Sequence, residues 1–203
     1  MKIRKEISLL LILLSLILAL LPLSANRSFS EKPADLLAQV LRDDVSLTAD
    51  EVAEFIVSDD PSISLIDLRT EAEYRIKAIP GAINVPWAEF IKSDPDKWLG
   101  NREVRTVFYS TGNTESDYAL VFARGMGYEN CNILAGGIAE WERKILDTEF
   151  KGERITAREN ALYETRRRAG EMYSEFSSLP DSLKSRFLDS KKFSAKKLDG
   201  GCE

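Results

Sequence analysis

Residues 104–141, VRTVFYSTGNTESDYALVFARGMGYENCNILAGGIAEW, decide how the rest of the chain is read. An apolar run at 104–109 leads into a polar loop at 110–116. A helix-period segment follows, then a second apolar run at 132–134 and a Gly136-Gly137 turn. In parallel sheets, ligands sit in the crevice where a strand's carboxyl end opens into such a loop and helix. The loop can turn several N–H groups into one hollow, and the next helix adds partial positive charge at its N-terminus. Ser110 holds the first loop position, where a nucleophile would stand. The candidate pocket residues are therefore Ser110, Thr111, Gly112, Asn113, Thr114, Glu115 and Ser116.

The preceding sequence fits the same architecture. Thr48 with Glu51 three residues later is a capping box that opens a helix with Val52, Phe55 and Ile56 on its apolar face. Asp59-Asp60-Pro61 ends that helix. Residues 62–68 are short, apolar and partly β-branched, the pattern of a buried strand. Pro80-Gly81 marks a turn, residues 83–86 a short strand, and residues 88–98 a helix and loop across a sheet edge. This alternation predicts an α/β fold with a parallel sheet flanked by helices.

Two spaced signatures are similar to those of the rhodanese-like domain family. The first is Asp67-Leu68-Arg69, then Glu73-Tyr74, then Ile79-Pro80-Gly81-Ala82 with Pro86. The second is Tyr109-Ser110, Gly127-Tyr128, Ile133-Leu134 and Gly136-Gly137 with Trp141. The resemblance covers residues 45–147 and implies the sulfurtransferase fold. It also implies a cysteine at the loop's first position, where this chain has Ser110. The family commonly places an arginine near the loop's end, where Glu115 precedes Ser116. The family arginine matched by Arg69 is a second pocket candidate, acting through structure.

Sulfane-sulfur transfer needs a thiolate that attacks the outer sulfur and holds it as a persulfide. A serine hydroxyl cannot form one. Serine acts as a nucleophile when a base takes its proton, but the chain has no histidine, and sequence alone assigns Ser110 no partner. Glu115 puts negative charge where thiosulfate would need positive. Cys131 falls in a strand and reads as a small buried hydrophobe. Cys202, in Gly200-Gly201-Cys202, is the candidate reactive thiol. Two cysteines without short spacing make no zinc site, and neither a metal nor a cofactor is assigned.

Composition sets the remaining bounds. The 203 residues are 44% hydrophobic and 30% charged, which suits one packed domain with extensions. Residues 45–147 carry ten Lys/Arg against eighteen Asp/Glu, net −8, and residues 148–203 carry twelve against ten. So acidic a domain gives no support for nucleic-acid binding.

Lys2, Arg4 and Lys5 precede the apolar run 7–23, then Ser24-Ala25. Residues 1–25 read as an export signal or an uncleaved N-terminal anchor, with membrane attachment through 7–23. The domain is then expected outside the cytoplasm, periplasmic or membrane-anchored. Residues 26–44 form a linker with a helical piece at 34–41. Residues 148–203 form a helical extension with a Gly-Gly-Cys tail. Its main helix is expected over 153–176, with Leu162, Ala169, Met172, Tyr173 and Phe176 on one stripe and Arg166-Arg167-Arg168 toward solvent.

Two functions remain from sequence. One is a binding or regulatory module, linked to sulfur or redox physiology by resemblance and without classical thiosulfate sulfurtransferase activity. The other is a sulfur or selenium carrier working through Cys202. The partner is an unidentified protein or a sulfur-containing small molecule.

Overall fold

The structure is a computed structural model that describes residues 45–149, 156–184 and 32–40, with positions 7, 11–13, 15 and 186. The tail with Cys202 lies outside the described residues, as does nearly all of the 1–25 segment. Among the described residues, no helix is long and apolar enough to cross a membrane.

A five-stranded sheet organises the domain. In chain order come α1 (Pro33–Val40), β1 (Ser46–Leu47), α2 (Ala49–Val57), β2 (Ile63–Asp67), α3 (Glu71–Ile76) and β3 (Ile83–Asn84). Two short helices follow, α4 (Trp87–Phe90) and α5 (Asp96–Leu99). The chain continues through β4 (Arg105–Tyr109), α6 (Thr114–Gly125), β5 (Cys131–Leu134), α7 (Gly137–Trp141), a wider π-turn (Glu142–Leu146) and α8 (Ala157–Ser178). The strand order is β1-β5-β4-β2-β3 with every pair parallel. Asp67 stands opposite Tyr109, so β2 and β4 end level, with β4 at the sheet's centre.

Both faces of the sheet are covered, as parallel sheets require. The period of two along each strand divides its side chains between the faces. Leu65, Val107 and Tyr109 pack with α2, α7 and α8 through Val52, Trp141, Ala169, Tyr173 and Phe176. Ile66, Phe108 and Ile133 pack on the other side with Phe90, Leu120 and Ala123 of α4 and α6. Among the described residues, capping boxes open three helices: Thr48 with Glu51, Thr70 with Glu73, and Thr156 with Glu159.

The extension departs from expectation in three places. Its helix starts at Ala157, because Thr156 caps it. Leu162 keeps the angular position of the stripe, seven residues before Ala169, but is 37% exposed, whereas Ala169, Tyr173 and Phe176 are buried. Arg166 does not face solvent as its triplet suggested: its guanidinium grips the Asp50 carboxylate through Nε–Oδ1 at 2.6 Å and Nη2–Oδ2 at 2.7 Å. Apolar contact of α8 with α2 brings the arginine over the first turn of α2, where a carboxylate is waiting. Arg167 instead pairs along its own helix with Glu164 and Glu171.

Candidate functional site

The site begins where β4 ends. The Tyr109 ring is fully buried under the Arg69 guanidinium, 5.7 Å from ring centroid to Cζ. Its hydroxyl oxygen accepts from the Ile79 N–H at 3.3 Å. Burial pushes this phenol well above its ordinary value, and the Asp67 charge adds to the effect.

Beyond Tyr109 the chain turns sharply against the Gly136-Gly137 segment. The Ile138 N–H donates to the Ser110 carbonyl at 2.9 Å, and the Gly136 N–H donates to Asn113 Oδ1 at 2.7 Å. Gly137 has φ +59°, and a Cβ there would lie 2.5 Å from the carbonyl oxygens of both Ser110 and Gly112. Only glycine lets the two backbones approach this closely.

The loop is shorter than its sequence suggests. Helix α6 already starts at Thr114, so Glu115 and Ser116 occupy its first turn rather than the loop. The Ser116 hydroxyl, fully buried, donates to the Asn113 carbonyl at 2.9 Å, which favours winding from this point. The Asn113 side chain does not cap the helix, and its amide oxygen is taken by Gly136. Thr111, Asn113 and Thr114 are exposed and Gly112 is half-buried.

Ser110 is 1% exposed. Contrary to the sequence reading, it has a partner: its Oγ lies 2.9 Å from Glu115 Oε2 and 3.0 Å from the Gly112 carbonyl oxygen. A single hydroxyl proton thus faces two acceptors. The Glu115 carboxylate, half-buried in the first turn of α6, places a built-in anion at the positive end of that helix.

Arg69 is brought beside the site but committed elsewhere. It makes a paired contact with Asp67, Nε–Oδ1 at 3.0 Å and Nη2–Oδ2 at 2.5 Å, and Nη2 also donates to the Lys77 carbonyl at 2.7 Å. Burial lowers its pKa, but the Asp67 contact more than offsets that, and the net shift is upward. Asn84 ties the same corner together, donating to the carbonyls of Asp67 and Arg69. Glu73, across the corner, is held below the usual carboxylate range mainly by the Thr70 hydroxyl and amide, with Arg69 and Thr111 contributing.

The structure also brings in residues that the sequence reading did not connect with the site. Trp87 opens α4, and its N–H donates to the Leu68 carbonyl at 2.9 Å; Leu68 in turn donates to the Tyr109 carbonyl. The Trp87 ring lies 6.2 Å from that of Tyr118, one helical turn beyond Glu115 on α6. The i,i+3 spacing of Glu115 and Tyr118 was a usable signal; the approach of Trp87 depends on the fold.

Cys131 lies at the opposite end of the sheet, paired with Thr106 at the start of β4. It is 2% exposed, and burial pushes its thiol up to about 12. A cavity of about 300 Å³ opens at that end, bordered by Arg102, Tyr128 and Cys131.

Comparison with known proteins agrees with this architecture. The family profile "Rhodanese-like domain" matches residues 48–144. The tRNA uridine(34) hydroxylase of Erwinia tasmaniensis is 30% identical over 102 residues, which are 47% of this chain and 29% of that protein. Its counterpart from Yersinia pestis is 33% identical over 101 residues, 48% of this chain and 28% of that protein. The chain thus spans less than a third of the length of these curated relatives. Among solved structures, the thiosulfate sulfurtransferase of Pseudomonas aeruginosa is similar at 21% identity and TM-score 0.46, covering 66% of this chain and 27% of that one.

Proposed function

This chain carries a rhodanese-like domain at residues 48–144, and from that premise we propose that it is an exported binding or regulatory module of sulfur or redox physiology, without thiosulfate sulfurtransferase activity of its own at the loop. One observation carries the reading: the loop's first position is a buried serine hydrogen-bonded to Glu115. A hydroxyl cannot hold a sulfane sulfur, and the neighbouring carboxylate repels a dianion such as thiosulfate. Export rests on the basic N-terminus and the apolar run at 7–23.

tRNA uridine(34) hydroxylases are among the curated relatives, but a nucleic-acid substrate suits this chain poorly. Its residues 45–147 carry net −8, and phosphate backbones are bound by clustered Lys and Arg. A second reading rests on the Gly200-Gly201-Cys202 sequence: the protein carries sulfur or selenium on Cys202, and the rhodanese-like domain docks the donor or acceptor.

The test is a thiosulfate-to-cyanide sulfur-transfer assay on the full chain beside a Ser110→Cys, Glu115→Arg double variant. The wild type is expected to give the uncatalysed rate and the double variant to exceed it. Turnover by the wild type would refute the reading.

A further inference from the structure

We propose that the mouth of the Ser110 loop is a docking site for a basic peptide segment of a partner protein, whose guanidinium or ammonium group sits between the Glu115 carboxylate and the Trp87–Tyr118 aromatic pair. This rests on the binding-module reading and names the partner's chemistry.

Three observations converge. A carboxylate offers about four lone-pair positions, of which Ser110 uses one on Glu115. The remaining capacity suits a forked cationic donor. Tyr118 follows Glu115 at i,i+3 on the same helix face and is 58% exposed, and the half-buried Trp87 ring lies 6.2 Å from it. Ile91, 42% exposed, follows Trp87 by four residues, and its N–H donates to the Trp87 carbonyl. Aromatic faces beside a carboxylate attract cations through the ring quadrupole, and desolvation strengthens the effect. Finally, the −8 charge of residues 45–147 draws basic partners and repels acidic ones.

The charge logic of the loop is thereby inverted. An N–H hollow at a helix N-terminus is an anion site, but here the chain supplies its own anion. What the mouth can still recognise is positive.

The experiment titrates the full chain with a blocked tetra-arginine peptide, using a blocked tetra-glutamate peptide as control and following tryptophan fluorescence. Saturable binding of the arginine peptide alone is expected, weakening as salt rises. Glu115→Gln and Tyr118→Ser should each weaken it by roughly threefold to tenfold. Absence of binding, or binding by both variants as tight as by the wild type, overturns the proposal. If replacing Lys191, Lys192, Lys196 and Lys197 by serine tightens peptide binding, the native occupant is the chain's own basic stretch and the partner assignment falls. Concentration-dependent self-association that competes with the peptide assigns the site to a second copy, with the same consequence. The wild-type sulfur-transfer assay reports separately on the underlying reading, so failure of one is distinguishable from failure of the other.

Discussion

The Ser110 hydroxyl sits 2.9 Å from the Glu115 carboxylate, across the first turn of the helix that follows the central strand. Two residues that looked independent in sequence are therefore one structural unit. The serine hydroxyl has the glutamate carboxylate and the Gly112 carbonyl as acceptors, so the loop's first position and the helix's first turn are tied together. Their pairing also explains how a carboxylate is accommodated beside a buried loop residue: one of its oxygens is satisfied locally, and the helix dipole favours its charge.

Arg69 is expected to be structural. Asp67 is fully buried, and Arg69 is its charged partner. Arg69→Ala would leave a buried carboxylate without its counter-charge and should cost about 3–5 kcal/mol. Arg69→Lys should restore little, because a single ammonium cannot reproduce the paired contact with Asp67 together with the Lys77 carbonyl. Urea unfolding of both variants measures this.

The C-terminal helix is held by a polar latch as well as by apolar packing. Arg166 and Asp50 are 21% and 29% exposed at the side chain, so their paired contact is partly shielded from water. Alanine at either position should lower stability by about 1–2 kcal/mol. The double variant should lose less than the sum, a coupling that a thermodynamic cycle reads directly.

Acid should loosen the same helix. Burial raises the Glu142 pKa, but hydrogen bonds from Tyr173 at 2.6 Å and Lys77 at 3.0 Å outweigh it and hold the group below its ordinary value. A carboxylate depressed in the fold contributes stability that is fully present above its unfolded pKa. That contribution is lost as pH falls through the folded value. Melting temperature should therefore decline from about pH 4.5 downward, and Glu142→Gln should flatten this part of the curve.

Cys131 should be chemically silent in the native protein. With its thiol pushed up to about 12 by burial, almost none is thiolate at neutral pH. In a Cys202→Ser background, an aromatic disulfide reagent at pH 8 should label nothing until denaturant is added, then one thiol per chain. Rapid native labelling would contradict the placement of Cys131 in β5.

Much of the fold was legible because its signals are local. The Thr48–Glu51 box, the apolar run before Ser110 and the Gly136-Gly137 pair each dictate structure within a few residues, and the structure places them accordingly. The loop's length was overestimated because Thr114, Glu115 and Ser116 are polar yet stand in the first helical turn, where polar side chains are favoured. The partner of Ser110 and the docking of Arg166 on Asp50 were not legible. The first needed the loop's curvature, and the second links residues 116 positions apart through the packing of two helices. Trp87 beside Tyr118 was hidden for the same reason.

The most direct measurement of the central claim is intact-mass spectrometry of the full chain after incubation with thiosulfate or polysulfide, beside a Cys202→Ser control. The binding-module account predicts no added sulfur on either protein. A sulfur atom gained by the wild type and lost in the control would contradict it and make Cys202 the carrier.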